Sequence, residues 1–433
     1  MAPAPHARAA AVVEATHLDF ARYVHPGDLV VWGQAGAEPC TLSAALMAQR
    51  ASIGGRFRVF AGVTWSDTLA PAHTDVVDFV SYGAGGANGK LASAGLLDIL
   101  PVHYSQLRRA LTRAPNRVDV LLLQVAPPDA QGRYSLSIAH EYLVPLIDEA
   151  RVVIAEVNAQ APWTYGERML QAHDFDVLVP TDRAPLEAPK AQGDAITDLI
   201  ASHAAAFIED GSTLQFGIGA LPEAIVANLR DRRDLGVHSG TIGDAVAELI
   251  ELGVVTNARK TRDAGITVAG LMMGGRRIYA HAHHNAAVQM RSTAYTHDIE
   301  VIGGIERFVA INSALEVDLT GQVNAESVGG RYIGAVGGGI DFVRGASRSH
   351  GGLPVVALPA RGRHGSRIVA SLSGPVSTPR SDAGVIVTEF GVADLRGLTC
   401  AQRVRRMLDI APPEAREALA AAHHAAQRGV APA

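Results

Sequence analysis

A net charge of −5 spread over 433 residues, with 38 Lys and Arg against 43 Asp and Glu, leaves no basic footprint for nucleic acid. The 48% hydrophobic and 19% charged composition is that of a globular chain with a large core, long enough for two or three domains. Cys40 and Cys400 form neither a disulfide framework nor a zinc motif, and no apolar run approaches the length of a membrane span. Met1 to Val12 lacks the apolar core of a secretory signal, so a soluble, cytoplasmic protein is expected.

In chain order, a ragged lead-in and a first helix fill the first twenty or so residues, before the turn His25-Pro26-Gly27-Asp28. Leu29 to Trp32 reads as a buried strand. A loop from Gly33 to Pro39 leads to a helix over Thr41 to Gln49, with Thr41 its candidate N-cap. Strands are expected at Phe57 to Val63 and Val76 to Val80, and a glycine-rich loop at Gly83 to Gly89. Val118 to Val125 and Ala150 to Val157 are nearly continuous apolar runs, which belong to strands covered on both faces of a parallel sheet. Strands alternating with helices argue an α/β domain. Asp182 to Asp194, with two prolines and mixed charge, is the candidate linker. It divides the chain into domains 1–190 and 191–433. Beyond it come a helix over Ala195 to Ile208 and later strands at Ile266 to Ala269, Phe308 to Asn312, Val355 to Leu358 and Val385 to Thr388. An alanine-rich helix follows Pro413.

The most informative stretch is Ser212 to Asp244. A short strand, Thr213 to Phe216, turns through Gly217-Ile218-Gly219-Ala220 into a helix with Pro222 near its first turn, ending near Arg233. Such a turn leaves backbone N–H groups free at a helix N-terminus, where an anion or oxyanion fits. Leu235 to His238 is a second short strand, followed by Ser239-Gly240. Further on stand Ala310-Ile311-Asn312-Ser313-Ala314-Leu315-Glu316-Val317-Asp318, Gly321-Gln322-Val323-Asn324, Val336-Gly337-Gly338 and Asp341-Phe342-Val343-Arg344-Gly345-Ala346-Ser347.

These strings together resemble the acetyl-CoA hydrolase/transferase family of class I CoA-transferases, over nearly the whole chain. The resemblance implies two related α/β/α open-sheet domains. It implies CoA contacts at Gly217, Ile218, Gly219, Ala220, Leu221, Leu315 and Gly338, with Gly337 and Gly338 in the oxyanion or thioester region. A core leucine accounts for Leu315 equally well. Ala335 stands where the family more usually has glycine.

One departure outweighs the matches. The family's strand leads into His-Ser/Thr-Glu, and that Glu is the nucleophile that carries CoA. Here the string is His238-Ser239-Gly240, and glycine cannot be acylated. Three routes are open: another carboxylate, an activated water, or binding without turnover. Asp67, in the loop after the strand ending at Val63, is the first candidate replacement, although an Asp before Thr is commonly a turn residue. Glu38 is a rival, with Glu316 and Glu326 behind it. His103, Tyr104 and Gln106 are candidates for an acid pocket or plain surface residues. His281, His283 and His284 lack a partnering carboxylate or cysteine pattern, so no metal is assigned to them.

The expected activity is CoA transfer between an acyl-CoA and a small carboxylate: acetate, butyrate, 4-hydroxybutyrate, succinate or itaconate. An acyl-CoA thioesterase and a non-catalytic acyl-CoA binder are the alternatives. Coenzyme A esters enter as substrate, with no resident cofactor. No nucleic-acid or membrane partner is expected, and the family implies a homo-oligomer, a dimer.

Overall fold

The computed structural model describes residues 10–189, 193–363 and 365–427. They form two compact α/β units. The first unit holds the described residues up to Pro189, together with Ile242–Asp244 and Val268–Thr296. The second holds the described residues from Gly193 to Thr241, with Ala245–Thr267 and the chain from His297 onward.

The first unit is built on an eight-stranded sheet. Its spatial order is Ala11–Val12, Val177–Thr181, Val152–Asn158, Val120–Val125, Leu29–Trp32, Phe57–Phe60, Val77–Ser81 and Leu97–Ile99. Every adjacent pair is parallel. Val120–Val125 is buried at all six positions, as its apolar run requires of a central strand. From Leu29–Trp32 the chain first adds strands on one side and then returns to the other with Val120–Val125. That reversal opens a crevice beyond the carboxyl ends of these two strands.

Six strands of the second unit follow the same plan. Their order is Gly391–Asp394, Val385–Thr388, Leu353–Ala357, Phe308–Ser313, Thr213–Phe216 and Gly236–Ile242. All pair in parallel except the first two, which are antiparallel. Here the direction reverses between Thr213–Phe216 and Phe308–Ser313.

Several local expectations are corrected. A boundary at 190/191 gives the later half segments that belong to the first unit. Val288–Met290 pairs in parallel with Tyr165–Gly166, and Leu271 and Ser292 bridge to Ala139 and Glu141. The first helix spans Cys40–Gln49, with Pro39 at its N-cap and no side-chain cap. Thr41 is not the cap; its N–H donates to the buried Glu156 Oε2 at 2.9 Å. The helix after Gly219 spans only Ala220–Ala227.

The candidate linker divides in three. Residues 190–192 lie outside the described residues. Asp194 caps the helix Ala195–Ala205 by accepting from Thr197 N at 2.7 Å. The earlier part is docked on the first unit. Ala188 N donates to Gly274 O at 2.9 Å, and Tyr279 OH donates to Leu186 O at 2.8 Å. Arg183 Nε reaches Glu156 Oε1 at 2.5 Å, and its Nη2 donates to Gln124 Oε1 at 2.8 Å and Glu38 O at 2.6 Å. The Glu156 side chain is completely buried, so Arg183 is its counter-charge. Arg183→Ala is expected to cost about 3–5 kcal/mol in denaturant unfolding, because a buried carboxylate loses its partner. Pairing Arg183→Met with Glu156→Gln should recover most of that loss.

Candidate active site

In the second unit the carboxyl ends of the central strands gather the glycine turns. Gly217 N donates to Ile311 O at 2.7 Å, which ties the turn to the neighbouring strand. Gly219 has φ +122° with open space where a side chain would stand, so only glycine makes this bend into the helix without strain. Ile218, Gly219 and Ala220 are exposed and Leu221 is half-buried. Asn312, on the next strand, joins the two glycine regions. Its Oδ1 lies 3.5 Å from where a Cβ would stand at both Gly217 and Gly339. Its amide also exchanges hydrogen bonds with that of Gln215, at 3.3 and 3.4 Å. Gly339 begins the helix Gly339–Arg348, with Gly338 at its N-cap and Gly337 at φ +59°. The first turn of that helix carries N–H groups without intrahelical partners, at the same end of the sheet as the Gly217 turn. Leu315 is half-buried nearby in sequence, with its N–H on Asn324 O at 2.9 Å.

Gly240 sits inside the strand Gly236–Ile242, not beyond it, so the strand is longer than its apolar residues suggested. The register between Thr213–Phe216 and this strand shifts just before Phe216 pairs with Thr241. Ser239 Oγ fills the irregularity by accepting from Phe216 N at 3.1 Å. A Cβ at position 240 would lie 2.8 Å from His297 Cε1 and 3.0 Å from His297 Nε2. His297 is buried, its ring 4.5 Å from that of Phe342. Burial, and then the neighbouring His238, push its pKa down to about 3, so the imidazole is neutral.

In the first unit the rival carboxylates separate by environment. Asp67 is corrected by its surroundings. Its side chain is 84% exposed, with Lys90 Nζ at 2.6 Å, and the Lys90 hydrogen bond holds its pKa below the usual carboxylate range. That is a solvated surface ion pair, not a nucleophile sheltered from water. Glu38 is buried, but its oxygens are spent on the loop that carries Asp67. Oε1 accepts from Trp65 N and Ser66 N, and Oε2 from Ser66 Oγ at 2.6 Å. Burial raises its pKa against those bonds. In the second unit, Glu316 accepts from Asn324 Nδ2 at 2.8 Å and Ser373 N at 2.6 Å, and Glu326 from Ser377 Oγ at 2.8 Å and Tyr332 OH at 3.0 Å. Both carboxylates fasten loops.

One buried cluster was not singled out from the sequence. At the crevice of the first unit, Gln34 Nε2 donates to Glu141 Oε2 at 2.9 Å and to Tyr104 OH at 2.6 Å. The Tyr104 hydroxyl donates to the same Glu141 oxygen, and Tyr82 OH donates to Gln34 Oε1 at 2.7 Å. Glu141 Oε1 is buried, with no hydrogen-bond partner among the described residues. Of the three acid-pocket candidates, Tyr104 joins this cluster, whereas His103 is half-buried and Gln106 exposed. Tyr104 was thus the one member marked by the sequence, and for Gln34 the only signal was its position in the loop after the first strand. The histidines 283 and 284 pack on Trp163. His283 Nδ1 accepts from Trp163 N at 3.0 Å, and His284 stacks on the indole at 5.2 Å.

Comparisons with known proteins agree with the architecture. Residues 13–187 match the acetyl-CoA hydrolase/transferase N-terminal domain, and residues 274–423 match the acetyl-CoA hydrolase/transferase C-terminal domain. The chain is 38% identical over 340 residues to 4-hydroxybutyrate coenzyme A transferase of Clostridium kluyveri, covering 77% of this chain and 79% of that protein. It is 32% identical over 415 residues to butyryl-CoA:acetate CoA-transferase of Anaerostipes caccae, covering 92% and 93%. Among solved structures, RipA from Yersinia pestis superposes with a TM-score of 0.90 at 30% identity, covering 96% of this chain and 97% of that one. The protein belongs to the acetyl-CoA hydrolase/transferase family.

Burial raises the Glu141 pKa to about 8 from an ordinary value of 4.5. The folded state therefore keeps a proton that the unfolded chain has released, and stability falls as pH rises between these two values. The limiting slope is about 1.4 kcal/mol per pH unit. Glu141→Gln cannot titrate, so melting temperatures between pH 5 and 8 should decline less steeply in the variant than in the native protein.

Proposed function

We propose that this protein moves CoA between an acyl-CoA and a small carboxylic acid of the acetate, butyrate, 4-hydroxybutyrate, succinate or itaconate class. The observation that carries the reading is the convergence of the Gly217 turn, Asn312 and the N-terminus of helix Gly339–Arg348 at one end of the second sheet. Backbone N–H groups fixed there suit the developing oxyanion of a thioester under attack. A preorganised donor of this kind is worth about 3 kcal/mol in the transition state. Coenzyme A is substrate in this scheme, not a resident group. The named relatives, CoA-transferases over most of their length, support the same reaction class.

Hydrolysis is the second reading. It is favoured by a single fact: position 240 has no side chain to hold an acyl group, which leaves water as a competitor.

One assay separates the two. The protein is given acetyl-CoA or butyryl-CoA with and without each acceptor acid. Free thiol and new acyl-CoA are followed together. Transfer predicts a new acyl-CoA that depends on the acceptor, with little free thiol in its absence. Thiol release without acceptor supports hydrolysis, and binding without either product contradicts both. Gly338 has φ −96° and ψ 0°, outside the left-handed region though in a sparsely populated part of the map, so Gly338→Val needs no left-handed backbone and should obstruct the close backbone approach. A rise of at least about tenfold in the acyl-CoA Kd is expected, equivalent to about 1.4 kcal/mol. Asp67→Asn should leave turnover within about twofold, in keeping with the small value of an exposed ion pair.

A further inference from the structure

Gly240 and His297 meet face to face in the second unit, and neither alone explains the site. A Cβ added at 240 would stand 2.8 Å from His297 Cε1, closer than non-bonded carbons approach, and 3.5 Å from Phe342 Cε2. The imidazole has little room to retreat. It is 4% exposed, its ring packs on Phe342, and Phe342 is stacked in turn on Phe308 at 6.4 Å. Behind it, His238 is buried edge-on to Phe308. The volume that a side chain at 240 would enter is therefore filled.

We infer that His297 has taken the place of the missing side chain at 240, and that the pair closes this position to any carrier of CoA on the protein. The inference rests on the CoA-transfer reading. With no carrier at 240, the step that follows is direct attack of the acceptor's own carboxylate on the thioester. Its oxygen forms a bond to the thioester carbonyl carbon, the C–S bond breaks, and CoA leaves as thiolate beside a mixed anhydride. The thiolate then attacks the carbonyl that came from the acceptor. The C–O bond to that carbon breaks, and the donor acid departs as carboxylate. No net proton is taken up or released. His297, neutral through burial, adds no fixed charge against the anionic acceptor. It is a positioning residue in this scheme.

The test has two arms. In the first, melting temperatures are measured for Gly240→Ala, His297→Ala and the double variant. With His297 present, the added methyl is overpacked, and Gly240→Ala should lower the melting temperature by roughly 2–4 °C or more. In the His297→Ala background the same change should cost nothing or stabilise. Additive shifts would overturn the pairing. In the second arm, the wild-type protein is incubated with acetyl-CoA alone, treated with borohydride and weighed by peptide mass spectrometry. An unmodified protein is expected. A side-chain carboxylate reduced to its primary alcohol, with CoA released as thiol, would overturn the inference, even if transfer activity is present. Coupled melting shifts and an unmodified protein in a chain that makes no new acyl-CoA would leave the pairing standing and reject the transfer reading instead. The second arm needs no variant, so a His297→Ala chain that does not fold leaves the inference open to refutation.

Discussion

Parallel strand pairing governs this molecule. A parallel strand cannot hairpin back to its neighbour, so each connection must cross over a face of the sheet. In an open sheet the crossovers leave a crevice where the strand order reverses direction. Both units reverse beside a central strand, Leu29–Trp32 in the first and Thr213–Phe216 in the second. Gln34 follows the first of these strands and Gly217 the second. The candidate site residues stand beside these reversals, where loops leaving neighbouring strands in opposite directions part into a crevice.

Burial of charge then fixes the loops around each crevice. Glu156, sealed in the first unit, is matched by Arg183, which also holds the carbonyl of Glu38. Glu38 in turn clamps the backbone of Trp65 and Ser66. Each of these carboxylates is occupied by several donors, as a buried carboxylate must be. Glu141 differs: one oxygen has no partner among the described residues, and its proton stays on through neutral pH.

Much of the fold was legible in the chain. Apolar runs such as Val118 to Val125, short and rich in valine, announce strands buried on both faces of a parallel sheet. The ends of elements were less legible, because capping depends on partners remote in sequence. Thr41 looked like a cap until Glu156 claimed its N–H. Glycine turns of the candidate site were legible where backbone conformation dictates residue type, as at Gly219 and Gly337. It was not legible where identity is neutral and environment decides. Asp67 and Glu141 are both carboxylic acids to a reader of sequence. Lys90 and solvent make one a surface ion, and the aromatic surroundings of Tyr82 and Tyr104 make the other a buried acid. The contact of His297 with Gly240 has no spacing rule, since it is made between separate segments of the second unit.

Transfer without a carrier on the protein leaves an isotopic trace. A single turnover, with enzyme in excess and acceptor acid labelled with oxygen-18 in its carboxylate, tests it most directly. Direct attack leaves one acceptor oxygen in the mixed anhydride bridge, and that oxygen departs with the donor acid. Labelled donor acid is therefore expected on the first turnover. Unlabelled donor acid with the heavy oxygen retained on a protein carboxylate, or donor acid carrying solvent oxygen, would contradict it.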